Sequence, residues 1–497
     1  MSAPAKAGVL THYMRYLTAN TLALAAGFVS FPVMTRLLDN HQFGILGYYE
    51  ALLLLGTAVL KLGTQHALLR FYPHGGDADA LARFRSNHIV GPFLLSVALW
   101  LSCVIVVAVL IERFPVDERP VLWVVLISIP LLIWGSFVEQ VMYALERSDI
   151  TVWFKTTWRW SELAMVLATI WLIERSALGV LAAKLAVLVL ACAWLTLWFR
   201  RWLKARYVAP ARTQLLAGLA FGVPMMFNEL TSLLFGFADR ILLRALTGSF
   251  SEVGIYTIGY GLALSLTAIV GQTLNQAFTP TAIRLYETEG ATAVVGLKRD
   301  MLDVWVIAVA IGTALLLCVG REFLLVLAGP DKAASAPVFV VSGIVLVWYS
   351  LFDVAQYGLL LQRRAMRFML ITLAATVANL VLNVPLILRF GVMGAVAATV
   401  ISYVMLAALQ VWQCPRALRY LPPWRRALPA MLYAPAMLTL LRAVDYYGTT
   451  GAWTRLLAGT ATILVPAAVF AWYDRPLRDG LQRVMAGRKA TARATGA

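Results

Sequence analysis

Two ionisable residues, Glu50 and Lys61, lie inside an apolar segment of the chain. Eleven positions separate them, so on a continuous helix they lie within about 20° of each other and ~16 Å apart along the axis. At that distance they cannot neutralise each other, and each needs its own partner or water. A single charge at the centre of a bilayer costs at least ~2.5–3.5 kcal/mol, so these side chains are expected to face protein or a wet cavity.

Further charged residues in apolar segments leave alternatives open. Glu162 follows Arg159 by three positions and is expected to pair with it on one helix. The carboxylates Glu139 and Asp353 are expected either to bond between helices or to take part in proton or ion transfer. Arginines near segment ends have the alternative of extending to the membrane interface. Lys61 lies deeper in its segment, which favours the cavity.

These charges lie in segments that are predicted to cross a membrane. Apolar residues make up 61% of the 497 residues and charged residues 13%, whereas a soluble domain has about half and about a quarter. About 14 segments reach the ~20 residues that a spanning helix needs, with no room between them for a soluble domain. The sequence predicts an all-α polytopic membrane protein. The predicted spans are 13–37, 43–69, 88–111, 120–145, 156–174, 177–199, 213–246, 252–284, 301–320, 335–361, 368–388, 391–413, 427–447 and 452–473.

The formal net charge of +17 indicates topology. With the N-terminus in the cytoplasm, most Lys and Arg residues fall in inner loops and in the C-terminal tail, as the positive-inside rule expects. No basic and aromatic module accompanies them, so a nucleic-acid partner is not predicted. The four cysteines and five histidines show neither a disulfide framework nor metal-ligand spacing, and no metal site is predicted.

The sequence also contains an internal repeat, because several residues recur 214 positions later in the same order. Each half has six spans, an even number, so both halves enter the membrane in the same orientation, as in parallel-repeat transporters. We predict an N-terminal six-helix lobe over residues 1–212, a C-terminal six-helix lobe over 213–420, and two extra helices with a basic cytoplasmic tail over 421–497. The matched pairs are Arg70 and Arg284, Tyr72 and Tyr286, Trp134 and Trp348, Glu139 and Asp353, and Tyr143 and Tyr357.

The first predicted hairpin carries a resemblance to a known family. It contains Pro-x-x-x-Arg-Leu-Leu at 32–38, a Phe-Gly after a short outer turn at 43–44, and a Gly and an Arg-Phe that close the second span at 63–71. These motifs and the layout of six, six and two spans resemble the oligosaccharide flippases of the polysaccharide transporter family. That family belongs to the multidrug, oligosaccharidyl-lipid and polysaccharide exporter superfamily.

The resemblance implies two lobes around a central cavity that opens alternately to each side. The implied cargo is a polyprenyl-pyrophosphate-linked oligosaccharide, flipped from the inner to the outer leaflet of the bacterial cytoplasmic membrane for exopolysaccharide or O-antigen assembly. Lys and Arg would hold the pyrophosphate by charge-assisted hydrogen bonds, and amides would meet sugar hydroxyls. The expected cationic residues are Arg36, Lys61, Arg70, Arg159, Lys184, Arg240 and Arg284. The expected polar residues are Gln65, Asn228, Gln272, Asn275 and Gln276, with Tyr48 and Tyr49 either facing sugar rings or anchoring the chain at the interface.

No bound cofactor is expected, and transport would draw on the membrane potential or on a proton or sodium gradient. The candidate coupling residues are Glu50, Glu139, Glu229, Asp239 and Asp353. Membrane lipids are expected partners, together with the polymerase and glycosyltransferases of the same pathway. A cation-coupled multidrug exporter, with carboxylates that bind an amphipathic cation, is the alternative.

A membrane glycan polymerase or ligase is a further alternative, from the class of enzymes. Such an enzyme would be expected to carry acidic residues on a substantial outer loop. The first outer turn spans only Asp39 to Gln42, and the sequence has no phosphate-binding loop. An enzyme is therefore not predicted.

Overall fold

The computed structural model describes residues 26–27, 29–73, 77–145, 147–202, 208–354, 357–362, 364–421, 424–443 and 451–473. These residues form helices and turns, with no β-strand among them. The helices are α1 (residues 29–37), α2 (Asn40–Leu60), α3 (Gln65–Phe71), α4 (Ala78–Phe84), α5 (Gly91–Leu110), α6 (Arg119–Ala144), α7 (Ser148–Leu172), α8 (Ala177–Trp202), α9 (Arg212–Thr247), α10 (Phe250–Thr288), α11 (Ala291–Ala328), α12 (Ala336–Asp353), α13 (Tyr357–Leu361), α14 (Ala365–Phe390), α15 (Val392–Gln413), α16 (Trp424–Ala443) and α17 (Ala452–Tyr473).

Within the described residues, nine helical segments are long and apolar enough to cross a membrane. The prediction of an all-helical multi-pass membrane protein is confirmed, while the count of 14 spans stays a prediction. Several boundaries agree closely with the hydropathy pattern. The predicted span 120–145 corresponds to α6, and the predicted span 452–473 coincides with α17.

The chain divides into two compact units, Met1–Gly254 and Ile255–Ala497. In the first unit, α5 packs on α6, while α6 and α7 both pack on α8. In the second unit, α11 packs on α12, while α12 and α14 both pack on α15. The same set of helix pairs thus occurs in each unit, which agrees with the internal repeat. The predicted division into three parts, at 212 and 420, stays a prediction.

The second predicted span is not one continuous helix. α2 and α3 lie on either side of a turn at residues 61–64. In this turn Leu62 and Gly63 have φ of 54° and 64°, in the left-handed region that ends a right-handed helix. A Cβ on Gly63 would lie 2.1 Å from the carbonyl oxygen of Gly222 in α9. The predicted continuous helix over 43–69 was therefore wrong, because a backbone contact with a distant helix sets this turn.

The start of α2 packs closely on the start of α10. A Cβ on Gly44 would lie 1.7 Å from the Phe250 carbonyl oxygen, and a Cβ on Gly254 would lie 1.8 Å from the Asn40 carbonyl oxygen. Small residues let two helix backbones approach in this way. The two glycines therefore fix the first turns of α2, which Tyr48 and Glu50 follow.

The two C-terminal helices pack on α11 of the second unit. Buried apolar residues from the three helices form one cluster, which includes Cys318, Ala434 and Ile463. The hydroxyl of Tyr433 in α16 donates a 2.6 Å hydrogen bond to the Ile463 carbonyl oxygen in α17. These contacts attach α16 and α17 to the second unit.

Candidate functional site

Lys61 caps the C-terminal end of α2 and pairs with Glu229 in the middle of α9. Its Nζ lies 2.8 Å from Glu229 Oε1. The other carboxylate oxygen, Oε2, accepts a 3.1 Å hydrogen bond from Gln65 Nε2 and lies 3.9 Å from His66 Nε2. The turn between α2 and α3 thus directs three nitrogen-bearing side chains at one carboxylate. We call these four residues the break cluster.

The break cluster is partly open. The exposed fractions of its side chains are 11% for Lys61, 28% for Glu229 and 40% for His66. Gln65 is only 3% exposed, and its Oε1 is buried with no hydrogen-bond partner in the described part of the chain. The cluster therefore combines a partly exposed ion pair with an amide oxygen, Gln65 Oε1, that accepts no hydrogen bond from the described residues.

The contact between α3 and α9 continues towards the end of α3. The Arg70 guanidinium lies over the Phe221 ring, 4.6 Å from its centroid. Phe221 precedes Glu229 by eight residues, which places the two about 80° apart around α9 and just over two turns apart along it. Arg70 is exposed, as is Asn228 beside Glu229. The structure thus places three of the predicted binding residues, Lys61, Gln65 and Arg70, along the contact with α9, and Asn228 is the neighbour of Glu229 in the chain.

Glu50 has a different partner from Lys61. It forms an ion pair with Lys184 of α8, and Lys184 Nζ lies 3.8 Å from Glu162 Oε1 of α7. The other oxygen of Glu162 accepts a 3.2 Å hydrogen bond from Arg159. The expectation of separate partners for Glu50 and Lys61 is confirmed, and so is the pairing of Arg159 with Glu162. Because two cations alternate with two carboxylates, this chain of charges is formally neutral.

Glu139 lies in a third group, between α6 and α7. Its carboxylate pairs with Lys155 of α7 and accepts a 2.6 Å hydrogen bond from the Tyr143 hydroxyl. Lys155 also donates to Tyr143 Oη at 2.6 Å. This geometry matches the interhelical bonding that was one alternative for Glu139, whereas a role in proton or ion transfer stays a prediction.

A fourth polar group joins α2 and α9 to Glu118, the residue just before α6, through Tyr49. Tyr49 is 1% exposed, and its hydroxyl donates a 2.8 Å hydrogen bond to Glu118 Oε2. Arg244 Nη2 donates to Glu118 Oε1 at 3.1 Å, and the guanidinium lies 3.9 Å from the centroid of the Phe250 ring. Tyr48 packs edge to face on Tyr49 and Phe250. Tyr49 therefore serves a contact inside the first unit.

The remaining predicted residues are scattered. Arg240 is 5% exposed and Asp239 1% exposed. Arg240 donates to the Gly236 carbonyl oxygen at 3.3 Å and lies over Phe237, so it does not extend to an interface. Arg36 and Arg284 are exposed. The side chains of Gln272, Asn275, Gln276 and Asp353 lie outside the described residues.

Some residues of these groups were not predicted as site residues. Arg244 follows Arg240 by four positions, a spacing that places both on one face of a helix and was a usable signal. The contact of Glu118 with Tyr49 joins residues 69 positions apart. Lys155 and His66 are reached only through such tertiary contacts, so sequence spacing does not reveal them.

The comparison with protein families matches residues 10–286 to a family described as polysaccharide biosynthesis protein. Among curated proteins, the probable flippase AglR of Haloferax volcanii is 26% identical over 255 residues. That alignment covers 50% of this chain and 52% of AglR. The chain thus spans about half the length of this curated relative in the match.

Solved structures show the same fold. The lipid II flippase MurJ in its inward closed conformation matches with a TM-score of 0.71 at 12% identity, over 92% of this chain and 98% of that chain. An inward-facing multidrug resistance MATE family transporter of the MOP superfamily matches with a TM-score of 0.57 at 13% identity, over 84% and 95%. At these identities the similarity concerns the fold alone, and it confirms the predicted fold class. The proteins matched are a flippase and a transporter, not enzymes.

Proposed function

Because this chain belongs to the polysaccharide biosynthesis protein family, whose model covers more than half of it, we propose that it is a flippase for a polyprenyl-pyrophosphate-linked oligosaccharide. The family match agrees with the resemblance carried by the first hairpin. The name of AglR and the fold shared with a lipid II flippase support a lipid-linked saccharide as cargo. The cargo moves from the inner to the outer leaflet of a bacterial inner membrane by alternating access, for exopolysaccharide or lipopolysaccharide assembly.

The chemistry of such a cargo determines which part of it the protein has to shield from the hydrocarbon. A pyrophosphate and a hydrophilic glycan cannot cross hydrocarbon unaided, whereas a polyprenyl tail is stable in lipid. The protein therefore has to shelter the charged head and the sugar only. Cationic side chains, amides and partly exposed ion pairs in membrane helices are suited to that task.

The observation that carries the proposal is the Lys61–Glu229 ion pair of the break cluster. Its Nζ–Oε1 distance is 2.8 Å, and both side chains are partly exposed. A pyrophosphate carries more negative charge than a carboxylate, so it competes with Glu229 for Lys61. Gln65 Nε2 lies beside the same carboxylate and supplies a further donor for a phosphate oxygen.

An exchange of anions also explains why Glu229 is present. A lysine left in a membrane helix without a partner is strongly unfavourable. In the absence of cargo Glu229 neutralises Lys61, and in its presence the pyrophosphate does so. Cargo binding therefore releases Glu229 from Lys61. This removes a contact between α9 and the turn that joins α2 to α3. This release is the step that makes the conformation of the first unit depend on cargo.

The membrane potential supplies a driving force in the required direction. With the inside negative, outward movement of an anion is favoured by ~2.3 kcal/mol per charge per 100 mV. A head group with two charges gains roughly twice that. Coupling to a proton or sodium gradient through carboxylates such as Glu50 is a further part of the proposal. Transport that does not respond to imposed pH and sodium gradients would remove that part.

The described carboxylates disfavour a multidrug exporter for amphipathic cations. Glu50, Glu139 and Glu229 each pair with a lysine. A cationic drug would have to displace a lysine from each of them, whereas an anion would be attracted to those lysines. Binding of a lipid-linked anionic sugar in preference to a cationic dye by the purified protein would support the flippase.

The decisive experiment measures flipping by the purified full chain in liposomes. A fluorescent polyprenyl-pyrophosphate oligosaccharide is placed in both leaflets, and a membrane-impermeant quencher reports its movement. We expect flipping by the wild type and none above background by Lys61→Ala or Arg240→Ala, with insertion unchanged. Arg389→Ala, which removes an exposed cation at the end of α14, is the matched control and should flip normally. Normal flipping by both Lys61→Ala and Arg240→Ala would refute the assignment of these residues.

A further inference from the structure

A groove of about 670 Å³ lies between α12 and α15 of the second unit. Its walls are apolar and rich in aromatic rings, among them Trp348, Phe352 and Trp412. Arg419 is the charged residue of its lining. It follows the short turn of helix Arg416–Leu418, just after the end of α15. The groove is therefore apolar along its length and cationic at one end.

Contacts with α11 anchor the residues on both sides of Arg419. The buried Lys298 of α11 donates a 3.0 Å hydrogen bond to the Leu418 carbonyl oxygen. The hydroxyl of Tyr420 donates to Asp303 Oδ1 of the same helix, also at 3.0 Å. These contacts anchor the residues on both sides of Arg419, and its own hydrogen bonds to two carbonyl oxygens hold the guanidinium at the end of the groove.

The guanidinium has donor capacity left over. Nη2 of Arg419 donates to the carbonyl oxygens of Trp412 and Cys414, at 2.6 and 2.9 Å. Its Nε is buried and finds no hydrogen-bond acceptor in the described ranges. A guanidinium has five N–H donors, and for those that face the groove the strongest acceptor is a phosphate or carboxylate oxygen. The end of the groove is thus suited to an anion.

The groove is large enough to hold an acyl chain. A methylene group is about as large as a water molecule, whose share of liquid volume is ~30 Å³. The groove therefore has room for roughly 20 carbon atoms. That is enough for one acyl chain of a phospholipid.

The surrounding sequence places this anion site at the cytoplasmic surface. Residues 415–426 contain Arg416, Arg419, Arg425 and Arg426, the concentration of positive charge expected on the inner side. The cytoplasmic leaflet carries anionic lipids, and basic sites between membrane helices bind their head groups. The positive charge of this segment and its expected cytoplasmic location therefore both favour a lipid of the cytoplasmic leaflet as the ligand.

We propose that this groove binds an anionic phospholipid of the cytoplasmic leaflet. One acyl chain lies between α12 and α15, and the phosphate pairs with the guanidinium of Arg419. The site belongs to the second unit and uses none of the residues assigned to cargo. Its failure would leave the proposed flippase activity untouched.

The first test labels the groove directly. The full chain is placed in lipid nanodiscs with phosphatidylglycerol that carries a photoactivatable group at the end of one acyl chain, and the labelled peptides are identified by mass spectrometry. We expect labels on α12 and α15, which unlabelled phosphatidylglycerol should suppress at about fivefold lower concentration than phosphatidylcholine. Ala408→Trp, which fills the groove from an exposed lining position, should abolish this labelling. Ala182→Trp, on an exposed face of α8, should leave it unchanged.

The second test concerns the charge. Arg419→Gln should remove the about fivefold preference for phosphatidylglycerol, whereas Arg389→Gln should retain it. Equal competition by the two phospholipids in the wild type would overturn the proposal. So would labelling that persists in Ala408→Trp, or stronger competition by a polyprenyl phosphate than by phosphatidylglycerol.

Discussion

Gly63 and Gly222 are in direct backbone contact. A Cβ on Gly63 would lie 2.1 Å from the Gly222 carbonyl oxygen, and a Cβ on Gly222 would lie 2.8 Å from the Leu62 carbonyl oxygen. This contact holds the turn between α2 and α3 against α9. It thereby brings Lys61 and Gln65 within hydrogen-bond distance of Glu229.

We predict that Gly63→Ala destabilises the first unit. The added methyl group would overlap the Gly222 carbonyl group, and the φ of 64° at this position is unfavourable for alanine. Overpacking of this kind typically lowers the free energy of unfolding by about 1–3 kcal/mol. The melting temperature of the purified protein in detergent measures the effect.

Gly236→Ala is the matched control, because Gly236 lies in α9 and a Cβ there would meet no atom within 4 Å. Alanine is favoured over glycine inside a helix, so its melting temperature should be unchanged or slightly raised. Equal melting temperatures for Gly63→Ala and Gly236→Ala would show that the backbone contact is not tight.

The same contact shows what the sequence can and cannot reveal. Hydropathy located α6 and α17 almost to the residue, because it reports where a helix must be apolar enough for lipid. It could not reveal the turn at 61–64, since the turn is stabilised by backbone contact with a helix about 160 positions away.

The candidate site could also be predicted only in part, because its ion pairs depend on tertiary contacts. The 11-residue spacing of Glu50 and Lys61 established that each needs its own partner, and the structure supplies Lys184 and Glu229. Their identities depend on how α2 packs against α8 and α9. Pairing across helices is a property of the fold, whereas pairing within a helix, as for Arg159 and Glu162, follows from spacing alone.

The exchange of anions at Lys61 predicts that Glu229→Gln binds cargo more tightly but flips it more slowly. A misfolded variant would lose both binding and flipping. Glutamine keeps the shape of the side chain but no longer competes for Lys61. Binding of a polyprenyl-pyrophosphate sugar should tighten by about fivefold, as expected from ~1 kcal/mol for a partly exposed ion pair. Flipping should slow, because the carboxylate that displaces the head group is missing. Titration of a fluorescent cargo and the liposome assay measure the two effects.

Glu139→Gln is the control for this prediction, since its carboxylate pairs with Lys155 in a separate group. It should leave the affinity for cargo unchanged. Unchanged or weaker binding by Glu229→Gln would contradict the exchange.

Lys184 is predicted to hold two carboxylates together. Lys184→Met would leave Glu50 without its cation and would bring it near Glu162 with no charge between them. The side chains of this group are 16–52% exposed, so we expect a loss of about 1–3 kcal/mol, between the values for exposed and buried pairs. Thermal unfolding in detergent measures it.

The double variant Glu50→Gln with Lys184→Met tests the origin of that loss. It removes both members of the pair, and Glu162 keeps Arg159. The double variant should therefore be more stable than Lys184→Met alone, which gives a non-additive cycle. Additive losses would show that Glu50 and Lys184 act independently.

The last prediction concerns the buried hydroxyl of Tyr49. Tyr49→Phe removes a 2.8 Å hydrogen bond to the Glu118 carboxylate, and a hydrogen bond to a charged group contributes about 1.5–3 kcal/mol. Arg244 still neutralises Glu118, so the variant should fold with a melting temperature several degrees lower. Tyr48→Phe is the matched control, because the Tyr48 hydroxyl makes no hydrogen bond with any residue that the structure describes. If both variants melt at the wild-type temperature, the link between α2 and the start of α6 does not stabilise the first unit.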